Sequence, residues 1–333
     1  LLGSPAKKRA FAYILFKEWR KGGSDGVLDL ARFLLSSPRD WLNKTFTSPK
    51  VRALLAAWGM HLDFAPDISG GALFPYLEGM VNQAFGMVLG QGGADTIVKA
   101  MVSQIEASGG SVTCNAEVTR VIVENGQARG IELKDGRQIM ARKAVIANVA
   151  PSALLKLAGE TGNARYDLGL KKSAHAPGTM MIHLALDDLP DWRAGAELRD
   201  FAYVHLAPSL DAMARTYQQA MEGLLPSEPV LVVGQPTAVD PSRAPAGKHV
   251  LWIQVRVLPA EIAGDAAGEI EPAHWDEVKE RYADRVLRII EDYAPGLAAK
   301  VLGRSVFSPI DLERENPNLV GGDQICGSHH IAQ

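Results

Sequence analysis

Cysteine is scarce in this chain, with two among 333 residues, Cys114 and Cys326. They have no Cys-x-x-Cys spacing and too few partners for a thiolate metal site or a disulfide framework. A reducing, cytosol-like compartment fits that usage. Apolar runs long enough to cross a bilayer, which needs about 18 residues, are also missing. Positive charge is not in excess: 35 Lys and Arg face 38 Asp and Glu, a net charge of −3, so nucleic acid finds no basic face to bind. There is no internal repeat, no low-complexity tract and no flexible linker, and Glu261 to Gly268 comes nearest to a loose loop. What remains is ordinary globular composition, 47% hydrophobic and 22% charged. At roughly 150 residues per domain, the length suggests about two domains.

Conventional catalytic groupings are equally thin. The scattered Ser, His and Asp residues mark no hydrolytic triad. Adjacent side chains in regular structure point apart, and no carboxylate spacing supports His329 and His330 as metal ligands. His183 and His205 sit in strand-like, apolar surroundings, which predicts hydrogen-bonded core or cavity residues rather than proton carriers. The run Asp311, Glu313, Arg314 and Glu315 reads as a solvated loop.

The richest stretch runs from Gly90 to Pro151. Asp95 to Ala107 places Ile97, Val98, Met101, Val102 and Ile105 at helical spacing, after the glycines Gly90, Gly92 and Gly93 and before Gly109-Gly110. Ser111 to Asn115 is a short strand candidate. Two strands, Glu117 to Glu124 and Gln127 to Lys134, flank Asn125-Gly126, the dipeptide best suited to a two-residue hairpin because both positions tolerate positive φ. Asp135-Gly136 repeats the device, giving a three-stranded meander that ends near Met140. Lys143 to Ala147 is a short apolar run, as expected of a strand buried on both faces, and Asn148 to Pro151 breaks it.

Elsewhere, the first 90 residues read as helices. Ala6 to Lys21 carries Phe11, Ile14, Leu15 and Trp19 along one side with basic residues around it, the pattern of a core helix or of one lying on an anionic membrane. Asp25 to Leu35 is a second helix halted by Pro38, and Ser48-Pro49 opens a third with Val51, Leu54, Leu55 and Trp58 inward. Strands are expected at Thr179 to Leu186, Val230 to Val233 and Val250 to Leu258, the last with Trp252, Gln254 and Arg256 on one face. Glu271 to Tyr293 has helical periodicity and should pack on that sheet.

The order helix, Gly-Gly, Glu117-Val-Thr-Arg-Val-Ile-Val, Asn-Gly turn, Gly130-Ile-Glu-Leu-Lys-Asp-Gly, and a run ending Val145-Ile-Ala-Asn-Val-Ala-Pro resembles the middle of the phytoene-desaturase-like FAD oxidoreductases. Pro236 to His249, Ser308 to Asn318 and Gly321-Gly322-Asp323 resemble later loops of the branch named for a pyridine nucleotide-disulfide oxidoreductase domain. The resemblance implies an α+β fold: a mixed-sheet substrate domain with a helical subdomain, plus a β-meander and strand of an incomplete FAD-binding, Rossmann-like domain. It implies a helical cap at 1–90, a partial FAD-binding segment at 91–150, a substrate-binding domain at 151–307 and a return to the FAD domain at 308–333. It places Glu117 and Val118 beside the FAD adenine, Asn148 where the chain returns to the dinucleotide fold, and Gly92 and Gly93 on the flavin and substrate side.

Such a fold needs Gly-x-Gly-x-x-Gly between its first strand and helix, so that backbone N–H groups meet the pyrophosphate. No such motif follows a strand here. Gly90-Gln91-Gly92-Gly93 comes nearest, but it lacks the last glycine, and the acidic residue about 20 positions on would fall at Ser111. With Leu1 in place of Met and no late glycine-rich segment before Gln333, the chain reads as an internal fragment of an FAD-dependent oxidoreductase that takes hydride from a lipophilic substrate. The alternatives are a flavin amine oxidase or protoporphyrinogen-oxidase-like enzyme, and an interaction protein on the same scaffold. The resemblance implies a cytoplasmic protein with peripheral membrane contact, or one of the mitochondrial matrix if the source is eukaryotic.

Overall fold

The computed structural model describes residues 4–331; Leu1 and Gln333, on which the expectation about the chain's two ends rests, lie outside the described residues. The chain divides into two compact units.

Of the described residues, one unit holds 4–86, 207–215 and 329–331. Its helices are α1 (Pro5–Leu35), α2 (Pro38–Thr45), α3 (Pro49–Gly59) and α4 (Leu73–Phe85). The two helices expected within α1 meet at Gly23, whose φ of 62° breaks the helical path. Pro38 does more than halt a helix. It occupies the first turn of α2, where its missing N–H costs nothing, while the Ser37 side chain accepts from Asp40 N at 3.1 Å. The inward face of α3 differs from the expected one: Ala53, Ala56, Ala57 and Gly59 are buried, while Val51 and Leu54 stand exposed. Close backbone approach is the reason, since a Cβ on Gly59 would lie 2.7 Å from Phe64 O. Phe33, Trp41 and Tyr76 pack edge to face, with centroids 5.4–6.0 Å apart. Arg39 joins Asp67 and Asp211 at 2.5 and 2.6 Å.

The other unit holds 87–206 and 216–328. After α5 (Asp95–Ala107) comes the expected meander, β1 (Val118–Glu124), β2 (Gln127–Leu133) and β3 (Gln138–Met140), paired antiparallel in that order. Asn125 and Gly126 take φ of 51° and 73°, as the tight hairpin requires. Two expected strands carry no ladder. Ser111 to Asn115 is irregular, and so is Lys143 to Ala147, where Ile146 is 92% exposed. A strand exists only by pairing, and no strand among the described residues pairs with either.

Helices α6 (Pro151–Ala158) and α7 (Ala164–Lys171) lead to β4 (Gly178–Leu186), β5 (Tyr203–Leu206), α8 (Leu210–Met221), β6 (Leu224–Leu225), β7 (Val230–Gly234), β8 (His249–Leu258), β9 (Gly264–Asp265), α9 (Trp275–Tyr293), α10 (Leu297–Lys300), β10 (Val301–Phe307) and α11 (Pro309–Glu315). Five strands make one sheet, ordered β10-β4-β8-β7-β5 and antiparallel throughout; the only parallel pairing among the described residues is β6 with β9. One face of the sheet, through Ile182, Leu184, Leu251, Ile253 and Val255, forms a core with Val278, Tyr282, Val286 and Ile290 of α9. Strand alternation fixes which side chains take part.

The stretch 261–268 is not loose. Asp265, in β9, meets Arg285 through two hydrogen bonds of 2.7 and 2.6 Å, with both side chains almost fully buried. The charge run at 311–315 is helical rather than a loop. Ser308 and Asp311 form a capping box, and Asp311 and Arg314 reach back to Lys279 and Asp276 on α9.

Candidate functional site

Val118 and Asn148 line one groove of about 330 Å³, formed by the meander residues Val121, Ile131, Ile139 and Met140 and by the segment 144–149. The register shift between Val118 and Arg120 brings Val118 and Val121 opposite Leu133 and Ile131, with Ile139 paired to Ile131 in turn, and the irregular run after Met140 lines the rest of the groove. Glu117 lies in the adjoining recess instead, with Asn115 and Asp135, and its carboxylate pairs with Lys134 at 2.8 Å. Gly92 and Gly93 line neither groove.

Those glycines belong to a separate arrangement that sequence reasoning missed. Gly92 N–H donates to Asp240 Oδ2 at 2.7 Å, and the Arg243 guanidinium donates to Gly90 O. Asp240 is itself held by Ser242 Oγ at 2.5 Å and by Arg243 Nε at 3.1 Å. The Ser242 hydroxyl, followed by the Gly92 N–H, holds the Asp240 carboxyl down at about 2, so it is an anion at neutral pH. The segment 90–93 and the stretch 236–249, one of those that carried the resemblance, are thus clasped together across some 150 residues of sequence. Gly92 and Gly93 take φ of 86° and 127°, which side chains resist, although a Cβ on Gly92 would meet nothing nearer than Thr96 Oγ1 at 3.7 Å.

The sheet face opposite the α9 core carries polar and aromatic groups in cross-strand rows. Ser305, His183, Trp252, Gly234 and Tyr203 are aligned across all five strands, with Phe307, Met181, Gln254, Val232 and His205 in the next row. Trp252 and Tyr203 rings lie 5.2 Å apart. Gly234 makes room for them, since a Cβ there would fall 2.0 Å from Trp252 Cε2. His183 is exposed on this face, edge-on to Phe307, and so is neither a core nor an enclosed residue. Burial, then the charge of Arg256, pushes the His205 imidazole down to about 4, leaving it neutral at pH 7. Burial likewise lowers the buried Arg256 to about 10, opposed by Asp323. Asp323 is fully buried and accepts from Ala176 N and Gly327 N at 3.0 and 2.7 Å, with His175 Nδ1 at 3.2 Å. In the first unit, His330 Nε2 lies 2.7 Å from Asp63 O.

The fold is similar to that of a solved oxidoreductase. It matches the crystal structure of an oxidoreductase from Methanosarcina mazei with a TM-score of 0.54 at 20% identity, over 82% of this chain and 56% of that one. By sequence the chain is similar to phytoene desaturases and to a pyridine nucleotide-disulfide oxidoreductase domain-containing protein. It is 30% identical over 269 residues to the rat pyridine nucleotide-disulfide oxidoreductase domain-containing protein 2, and 26% identical over 261 residues to the neurosporene-forming phytoene desaturase of Cereibacter sphaeroides. These matches take in 77% and 75% of this chain but 44% and 47% of the relatives, so the chain spans less than half of each. No family model matches it.

Proposed function

We propose that this chain is the substrate-binding and partial FAD-binding portion of an FAD-dependent oxidoreductase that removes hydride from a lipophilic substrate. The observation that carries the reading is the groove shared by Val118 and Asn148, two residues, thirty apart in sequence, that the family resemblance assigns to the nucleotide. Its volume lies at the low end of the range of roughly 300–1,000 Å³ for ligand pockets. That suits the adenine end of FAD, with the exposed edge of β1 offering backbone groups to the base. The pyrophosphate does not fit the residues present. Gly92 N–H already donates to the Asp240 carboxylate, and that negative charge would repel a phosphate beside it. The 90–93 segment is therefore not the phosphate-binding loop, and we assign it to the flavin and substrate side.

When bound, the isoalloxazine supplies the hydride acceptor. The protein's part is to bind, orient and exclude water. The Asp240 clasp holds the 90–93 backbone in one conformation, and the Trp252 and Tyr203 rings, packed at an interplanar angle of 58°, give an apolar surface for substrate. Gln254 and the neutral His205 stand in one row of this face without adding charge. The substrate's lipophilicity goes with peripheral contact to the membrane that holds it, and no described helix is long and apolar enough to cross one.

The test is to express the complete reading frame, record its visible spectrum and attempt reconstitution with FAD. A flavin spectrum at one FAD per chain is expected. A colourless protein that takes up no FAD would overturn the reading in favour of an interaction role.

A further inference from the structure

The first helix poses a problem that the flavin reading leaves unsolved. Not one residue of α1 is buried, although the segment 5–22 carries large apolar side chains throughout, with Phe11 43%, Phe16 52% and Trp19 53% exposed. At 3.6 residues per turn, Phe11, Leu15, Trp19 and Phe16 fall within one sector of roughly 140°, while Tyr13 and Ile14, 66% and 49% exposed, lie outside it among the basic residues. Five of the six basic residues lie outside that sector, only Lys8 within it. The segment is well delimited: Ser4 caps it, Pro5 starts it and Gly23 ends it. Its length is about 27 Å at 1.5 Å per residue.

Other helices also show apolar residues, among them α3, α4 and α5, and the excess of positive charge is largest in residues 5–22, since α3 has only Lys50 and Arg52. The segment Leu73–Phe85 of α4 exposes Leu77, Met80 and Phe85 but has no Lys or Arg, and α5 has a single Lys against two acids. Such faces suit cover by more protein. Residues 5–22 hold six of the chain's 35 Lys and Arg but only one of its 38 Asp and Glu, a formal charge of +5 in a chain whose total is −3. An apolar strip with Trp and Phe, bordered by cations, matches an interface whose outer layer is anionic and whose interior is hydrocarbon.

We propose that residues 5–22 dock flat on anionic lipid, with Phe11, Leu15, Phe16 and Trp19 entering the headgroup boundary. This rests on the peripheral contact proposed above and not on the flavin chemistry.

The test mixes this chain with phosphatidylcholine vesicles that do or do not contain phosphatidylserine, followed by sedimentation and Trp fluorescence. Binding is expected to be at least roughly tenfold tighter with phosphatidylserine, to weaken as salt rises, and to shift the emission to shorter wavelength in a way lost in Trp19→Phe. The exposed triple variant K17E/R20E/K21E should keep the helical circular dichroism of the parent and lose most of the binding. If the triple variant binds like the parent, the contact lies elsewhere: the helix assignment fails and peripheral contact survives. No binding to either vesicle overturns both. Equal binding to both vesicles overturns the anionic assignment. A concentration-dependent dimer that F11S/F16S abolishes, without vesicle binding, shows a second copy as the occupant and overturns the proposal.

Discussion

The pair of Asp265 and Arg285 offers the sharpest test of how this fold is held. Their side chains are 1% and 4% exposed, joined by bonds of 2.7 and 2.6 Å, and the Arg285 guanidinium also lies 5.3 Å from the Tyr282 ring centroid. Burial alone would raise the Asp265 carboxyl. Arg285 and the N–H groups of Glu269 and Ile270, at 2.8 and 2.9 Å, outweigh it and hold the group at about 2, below its ordinary 3.8. A depression of that size corresponds to about 2 kcal/mol of folding stability, at roughly 1.36 kcal/mol per pH unit. Arg285→Ala also leaves a carboxylate buried with backbone partners alone, so the expected loss is larger, about 3–5 kcal/mol. Urea unfolding at pH 7, followed by circular dichroism and Trp fluorescence, should show the midpoint falling with the slope unchanged. Because the folded value is depressed, the stabilisation is complete above 3.8 and is lost as pH falls through about 2. The gap between parent and variant should therefore stay constant from about pH 5 to 8 and narrow below about 3.8. The double variant D265L/R285M should lose less than the two single losses combined, since apolar replacements leave no unpaired charge. A loss under about 1 kcal/mol for Arg285→Ala, or a gap that does not narrow in acid, would refute the argument.

Three further outcomes follow from the geometry. Asp240→Ala should speed amide hydrogen exchange at Gly92 by roughly tenfold or more while Asp240→Asn, which keeps an acceptor, does so less; unchanged exchange in the alanine variant would show that the clasp does not order the loop. Gly178→Ala would place a methyl 2.3 Å from Gly321 O and 3.0 Å from Pro309 Cβ, so a loss of about 1–3 kcal/mol is expected in urea unfolding, and a neutral result would contradict that packing. His205 titrates at about 4 in the folded chain against 6.5 ordinarily, so it contributes stability above pH 6.5 that is lost as pH falls toward 4; His205→Gln should flatten the stability profile across that window, which urea midpoints at four or five pH values would reveal.

Local signals in the sequence carried much of the fold because they rest on local physics. Asn125-Gly126 specifies a tight hairpin wherever it falls between strand-forming runs, and Ser37-Pro38, read only as a stop, is by the same logic also a start. The strands β4, β7 and β8 were legible because their apolar density exceeds anything a surface segment tolerates. Failures came where the deciding partner is distant. Lys143 to Ala147 is as apolar as a buried strand, but no ladder can form without a neighbour. The inward face of α3 was set by the approach of Phe64 to Gly59, and the apparent loop at 261–268 by Arg285, twenty residues on from Asp265.

The candidate site divides along the same line. The sequence by itself determined the family resemblance, the meander that Val118 opens and the lack of a phosphate-binding glycine loop, all properties of contiguous residues. Only the tertiary structure decided that Val118 and Asn148 share a groove while Glu117 turns to Lys134, and that Asp240 holds the Gly90–Gly93 backbone from some 150 residues away. Backbone hydrogen bonds between neighbours follow from short-range sterics, whereas a carboxylate's partner across that span of chain is selected by the packing of the whole unit, which no local pattern encodes.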